Sequence, residues 1–297
     1  MTPTTLLRTL RSFISYPYYM ECVRGIIENQ FPVFISYPIN PVARYGHGKP
    51  PHPMLYDRLN AQRASFADQV STFARYTRNI LAIAEDNAPD SLEPHWNNGF
   101  FPALDGIALY SFLAIHNPSL FIEIGSGNST KFAKRAIRDH GLKTAITSID
   151  PFPRAQIDAL ADTVVRQPLE EVDLGIFEEL QPGDILFFDG SHRTFMNSDV
   201  TVFFMDVLPR VPPGTLVHIH DIFLPHDYPP RRATHYESEQ YLLAAMLLGG
   251  CTTFDVVLPN NFVEGDAELS GALDWFWSAK PSVDRWGSSF WIRAKRG

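Results

Sequence analysis

Two short segments carry side chains able to handle a proton or a cation: Phe188-Asp189-Gly190-Ser191-His192-Arg193 and His218-Ile219-His220-Asp221-Ile222-Phe223. Each contains or follows a short apolar run of strand character, Ile185–Phe188 and Thr215–Ile219. Asp189 and Asp221, ending neighbouring strands, can converge on one hard cation, and His192, three residues past Asp189, can reach the same cleft. Oxygen ligands suit Mg²⁺ or Ca²⁺ with waters completing the shell, whereas an imidazole such as His220 in the set suits a transition metal. A cation there holds a hydroxyl and lowers its pKa, and a neutral His192 removes the proton. The structural alternatives are Asp221 capping the loop after it and Asp189 binding a backbone turn. His218 shares a strand face with His220 and reads as a core histidine that needs a hydrogen-bond partner.

A third segment, Glu123-Ile124-Gly125-Ser126-Gly127-Asn128-Ser129-Thr130, follows the apolar run that starts at Leu120. Its small residues let the backbone approach a ligand, and the helix after it presents free N–H groups. Asp150 ends the next strand candidate and suits two vicinal ribose hydroxyls. Its distance from Gly125 is close to the roughly 20 residues expected between such a turn and its acidic partner. A nicotinamide fingerprint would need glycine at position 130, where threonine stands, so a cofactor without a pyrophosphate is expected.

These residues need a scaffold that puts them on one edge. Short apolar runs at Leu120–Ile124, Ala145–Ile149, Thr163–Val165, Ile185–Phe188 and Thr215–Ile219 alternate with helical patterns at 104–116, 130–140, 154–161, 171–179 and 194–209. That alternation predicts parallel strands covered on both faces, an α/β doubly wound sheet whose ligands bind beyond the carboxyl ends of the strands. A helix at 237–249 and strands at Thr253–Leu258 and Ser289–Arg293 come next. Between those strands lies an insertion holding Trp275, Phe276, Trp277 and Trp286. Upstream, residues 57–86 place Leu59, Phe66, Val70, Phe73, Ile80, Leu81 and Ala84 on one helical stripe. Residues 1–56 are rich in proline and aromatics, among them Tyr16, Tyr18, Tyr19, Phe31, Phe34, Tyr37, Tyr45 and Tyr56. The texture changes near residue 95, so the expected organisation is a cap over 1–95 and a core over 96–297.

Composition excludes several classes. The 297 residues are 45% apolar and carry 25 Lys+Arg against 33 Asp+Glu, a formal charge of −8. A chain of this length buries about three quarters of its unfolded surface and needs no disulfide or metal staple. Its acidic balance, with no basic run, argues against nucleic acid. Cys22 and Cys251 sit in no metal or redox spacing, and no run of 18 apolar residues occurs. A cytoplasmic protein with no membrane partner is expected; a homo-oligomer stays open.

The ordered set FIEIGSGNST, TSIDP, FFDGSH and VHIHDIF resembles the class I S-adenosylmethionine-dependent methyltransferases over about residues 96–297. More narrowly it resembles the branch with DGSH and HDIF segments and, distantly, the metal-dependent O-methyltransferases of catechols and macrolide sugars. The resemblance implies a Rossmann-like seven-stranded sheet and S-adenosylmethionine as cofactor. Glu123, Gly125, Ser126, Gly127, Asn128, Ser129 and Asp150 would then face the methionine and ribose parts, with Gln167, Pro168 and Leu169 beside adenine. It further implies Asp189 as a metal ligand that also faces the cofactor, His192 as general base and Asp221 as the second ligand. Departures are Ser129 in place of the last glycine of the turn, and His220-Asp221 where relatives carry two acidic or amide residues.

Trp96, Asn97 and His220, with Tyr45 and His47 in the loop Arg44–Gly48, are candidates for an acceptor wall. Their structural readings are a hydrophobic hinge and a surface loop. The expected activity is methylation of an oxygen of a small molecule or sugar. Nitrogen methylation, nucleotide-dependent oxidoreduction and cofactor binding without catalysis are the alternatives.

Overall fold

The computed structural model describes residues 23, 39–88, 90–153 and 157–295. Residues 1–41 and 42–297 form separate compact units; of the first, Val23 and residues 39–41 are described. The aromatics Tyr16 to Tyr37, Cys22 and residues 154–156 of an expected helix lie outside the described residues. The sheet and its flanking helices belong to the unit 42–297.

Helices α1 (Pro53–Asn60), α2 (Arg63–Thr72) and α3 (Thr77–Leu81), with a 3₁₀ turn at Phe73–Tyr76, replace the single expected helix. The apolar stripe survives the breaks. Leu59, Phe66, Val70, Phe73 and Ile80 are buried, although Ile83 is buried where Ala84 was expected to be. Phe73 meets Phe112 edge-on at 5.6 Å, and Phe66 meets Phe262 at 6.1 Å. The stripe therefore joins the larger core.

Strands β1 (Leu120–Ile124), β2 (Ala145–Ile149), β3 (Thr163–Val165), β4 (Ile185–Phe188), β5 (Leu216–Ile219), β6 (Phe254–Pro259) and β7 (Phe290–Ala294) make one sheet in the order β3-β2-β1-β4-β5-β7-β6. Pairings among β1 to β5 are parallel, and β7 runs antiparallel to both β5 and β6. β1, β4 and β5 are buried almost throughout, as strands covered on both faces must be. The chain order reverses direction between β1 and β4, and there the loops after the strands part to form a crevice. The expected Rossmann-like seven-stranded α/β class is the observed one.

β5, β6 and β7 each begin one residue later than periodicity predicts, β5 and β7 because an N–H is engaged elsewhere. Thr215 N–H donates to the Pro212 carbonyl at 3.2 Å, and Ser289 N–H donates to the Asp105 carboxylate at 3.0 Å. Flanking the sheet are α4 (Ala103–His116), α5 (Asn128–His140), α6 (Asp199–Val202) and α7 (Glu239–Leu248). The expected helix over 194–209 is shorter because Ser198 caps it, its hydroxyl accepting from Thr201 N. It then loosens into a π turn and a 3₁₀ turn around Pro209, which has no N–H to offer. The segment 171–179 forms 3₁₀ turns. The tryptophan-bearing insertion folds as α8 (Asn260–Gly265), α9 (Ala267–Gly271) and α10 (Asp274–Trp277). Cys251 is half-buried, not a core thiol. Among the described residues no helix is long and apolar enough to cross a membrane.

Candidate active site

The turn after β1 fits the backbone of the turn after β4. Gly125 N–H donates to the Ile149 carbonyl at 3.0 Å, and Asp189 N–H to the Ile124 carbonyl at 2.9 Å. Gly125 has φ +79°, and a Cβ there would lie 1.9 Å from the Asp189 carbonyl oxygen. No other residue fits.

Asp150 closes the turn from the β2 side, its carboxylate accepting from Ser126 N (2.8 Å), Ser126 Oγ (3.1 Å) and Phe152 N (2.8 Å). Below them Glu123 is fully buried and accepts from Thr130 Oγ1 at 2.5 Å and Ser129 Oγ at 3.1 Å. Burial raises its carboxyl to about 8, against the pull of those two hydroxyls. Glu123 thus acts on the helix start beneath the turn.

A cavity of about 490 Å³ opens at this edge, walled in part by Gly125, Ser126, Asp150, Leu169, Asp189 and His192. Phe152, 87% exposed, lines its mouth, and Pro168 continues the Leu169 wall. Five of the expected cofactor residues do not line it, Glu123 among them because it is buried beneath the turn. Gln167 is exposed, Gly127 N–H donates to Thr130 Oγ1, Asn128 donates to Asn98 Oδ1 at 3.2 Å, and Ser129 is held by Glu123.

The second half of the site is a chain of alternating charges. His192 Nε2 lies 3.3 Å from Asp189 Oδ1 and 3.4 Å from Asp221 Oδ2, and its Nδ1 is 2.9 Å from Glu239 Oε2. His220 sits between Asp189 (3.4 Å) and Asp105 (3.4 Å). Burial opposes charge on both imidazoles. Asp189 and Glu239 outweigh it for His192, and Asp189, Asp221 and Asp105 do so for His220, so both are raised well above the ordinary value. Burial likewise opposes charge on Asp189, but His220 and His192 hold it well below the usual carboxylate range. Glu239, wholly buried at the start of α7, is pushed up to about 7 by burial despite His192. These carboxylates favour the charged form of His192, whereas a neutral base is expected from sequence. His192 and Asp221 also both hold left-handed backbone, φ +61° and +55°. Such conformations in non-glycine residues persist only where the surroundings enforce them.

The candidate acceptor residues separate. His47, Trp96 and Asn97 line a second cavity of about 510 Å³ with Phe101, Phe223 and Trp286. Tyr45 lines a third with His52 and Pro225. His220 is buried behind the Phe101 ring, 5.4 Å between centroids. His218 is the expected core histidine: it stacks on Phe187 at 4.0 Å, bonds Ser289 Oγ at 2.5 Å and is held neutral by burial.

Residues 122–222, from β1 to just past β5, match the family model of a methyltransferase domain. That stretch contains the Gly125 turn, Asp150, Asp189, His192 and Asp221. Over that stretch the chain is similar to methyltransferase domains. The class expected from the motifs and the observed sheet agree with it. A stretch of 94 residues is 34% identical to an uncharacterized protein of Archaeoglobus fulgidus, covering 29% of this chain and 41% of that relative, less than half of its length. Among solved structures, the methyltransferase PaMTH1 of Podospora anserina bound to SAH is 15% identical, with 85% of this chain and 100% of that one covered at a TM-score of 0.42. The plantazolicin methyltransferase BpumL in complex with SAH is 10% identical, with 82% and 100% covered at 0.44.

The residues implied as metal ligands do not fit a metal. Asp221 Oδ2 is held by Arg232 Nη2 at 2.6 Å, and its Oδ1 accepts from Ser288 Oγ at 3.1 Å. Among the described residues no group of three or more His, Cys, Asp or Glu is arranged to hold a metal ion. Sequence reading missed Glu239, Arg232 and Asp105. Asp105 is fully buried at the start of α4 and accepts from Ser288 N, Ser289 N and Asn260 Nδ2, fastening β7 beside His220. The available signal for Arg232 and Glu239 was modest: an arginine and a pair of acidic residues just after the HDIF segment.

Proposed function

We propose that this methyltransferase domain moves the methyl group of S-adenosylmethionine to a hydroxyl oxygen of a small molecule or sugar, with His192 taking up the proton. One observation carries the reading: the cavity walled by the Gly125 turn and Asp150 is also walled by Asp189 and His192, so cofactor-type and proton-handling residues share one space. The cavity fits the cofactor's chemistry. Glycine backbone lies on one side, the Asp150 carboxylate would hold the ribose, and Pro168 and Leu169 with exposed Phe152 would offer apolar surface to the base. When bound, S-adenosylmethionine supplies an electrophilic methyl carbon on a positively charged sulfur. With it bound, the acceptor oxygen's electron pair would form the new O–C bond as the C–S pair returned to sulfur, and Nε2 of His192 would take the hydroxyl proton.

His192 is held at its ring and at its backbone. Glu239 fixes the ring through Nδ1, and the backbone carbonyl of His192 accepts from Ser238 N at 2.8 Å and Glu239 N at 3.3 Å. Helix α7 thereby clamps the catalytic loop. The second cavity, walled by His47, Trp96, Phe101, Phe223 and Trp286, is the proposed acceptor space.

His192 must release its proton before it can accept another, and Asp189 and Glu239 resist that release. Turnover is therefore expected to climb with pH through a range above that of an ordinary imidazole. In a tritiated-methyl transfer assay over phenolic and sugar hydroxyls, His192→Gln should lose at least about 100-fold in turnover. Its S-adenosylhomocysteine affinity should stay near native. Full activity in that variant removes His192 from the mechanism.

A further inference from the structure

We infer that the Arg232 guanidinium occupies the place of a divalent cation at this site, making Arg232 a positioning residue and the transfer independent of added metal. The inference rests on the methyltransferase reading. Arg232 belongs to a 3₁₀ turn, Pro230–His235, that follows β5 by a short loop. Its side chain is only 20% exposed and is fixed on three sides: Nη2 on Asp221 Oδ2 at 2.6 Å, Nη1 on Glu237 Oε2 at 3.1 Å, and the planar group over the Phe223 ring at 5.4 Å. Glu237 is itself nearly buried, so the guanidinium is the central charge of a Glu237–Arg232–Asp221 triad.

The consequence for the site is geometric. Asp221 Oδ2, the oxygen turned toward His192 Nε2 at 3.4 Å, is the one that Arg232 holds. The left-handed backbone at Asp221 places that carboxylate, and Ser288 Oγ secures its other oxygen. A planar, permanently charged fork thus does for Asp221 what a cation does in a two-carboxylate site. It neutralises one acid and fixes its oxygen without leaving an open coordination position. Removing the guanidinium would free Asp221 Oδ2, leaving Asp221 and Asp189 to share His192 and His220 with one oxygen open to an added cation.

The test begins with the native chain dialysed against EDTA, titrated with Mn²⁺ and followed by electron paramagnetic resonance, alongside methyl transfer and S-adenosylhomocysteine binding. The expected result is no stoichiometric Mn²⁺ binding and turnover unchanged by the chelator. Arg232→Gln should lose about 10- to 100-fold in turnover with cofactor-product affinity retained, recover in part on adding guanidinium, and gain Mn²⁺ binding. Arg232→Lys, which keeps the charge but not the fork, should fall between the two and serves if Arg232→Gln does not fold. Stoichiometric Mn²⁺ binding by the native protein, loss of its turnover in EDTA, or native turnover in Arg232→Gln overturns the inference. Failure to bind S-adenosylhomocysteine would instead defeat the methyltransferase reading, and the Mn²⁺ titration of the native chain would still test the inference.

Discussion

Replacing Gly125 with alanine is expected to destabilise the protein by about 4 kcal/mol or more, a shift of roughly 10 °C in thermal unfolding, and to abolish cofactor binding. The added Cβ would stand 1.9 Å from the Asp189 carbonyl oxygen, a backbone atom that has no rotamer to change. The residue's φ of +79° adds a strain that alanine bears and glycine does not. Relief requires β1 and β4 to part where Asp189 N–H bonds the Ile124 carbonyl, and that contact holds the two halves of the site together. Calorimetric melting checks the expectation. By contrast, Gly127→Ala should melt near native, because a Cβ there meets nothing within 4 Å. Equal melting of native and Gly125→Ala would show that the turn is not packed as described.

The second large effect is on stability against pH. Glu123 titrates near 8 in the fold and near 4.5 as a free side chain, so the native state keeps a proton that the unfolded chain has released. Its contribution is fully present below about 4.5 and is lost as pH rises through about 8, a change of about 5 kcal/mol at full extent. Denaturant unfolding of native protein and Glu123→Gln, compared at pH 5 and pH 9, should therefore diverge. The glutamine variant should be the more stable of the two at pH 9 by a few kcal/mol and close to native at pH 5. Parallel behaviour of the two proteins across that range contradicts a protonated Glu123 beneath the turn.

Gly125 and Glu123 differ in how far sequence exposes them. Gly125 announces its role locally, since a glycine between an apolar strand and a helix start has few other reasons to be there. Glu123 stands two residues earlier in the same motif, but its protonation comes from complete burial, which a one-dimensional pattern does not display. β1 to β4 were legible because each is a short apolar run bounded by polar punctuation, and their observed limits coincide with the expected ones. The later strand ends were not, because Thr215 and Ser289 each give their N–H to a partner outside the ladder. In Ser289 that partner is Asp105, 184 residues away. No periodicity encodes such a contact.

The site divides along the same line. Asp150, Asp189, His192 and Asp221 follow strands and could be picked out by position, since parallel α/β sheets carry their chemistry at the strand ends. Glu239 lies 47 residues from His192 and reaches it only because α7 returns to the catalytic loop. Arg232 stands 11 residues past Asp221 in a turn whose path periodicity does not predict. Cation choice at Asp221 was therefore not readable from ligand spacing alone. The charge on His192 also depends on partners from three elements, so a histidine three residues past an aspartate gives no indication of which form they favour.

Everything proposed for the site requires S-adenosylmethionine to bind in the Gly125–Asp150 cavity, and calorimetric titration of the native chain with S-adenosylhomocysteine probes that binding without any acceptor. The prediction is a saturable heat with one site per chain and a Kd in the micromolar range, worth about 7–8 kcal/mol, lost in Asp150→Ala. No saturable heat at about 1 mM ligand, where even a 4 kcal/mol interaction would register, would contradict it.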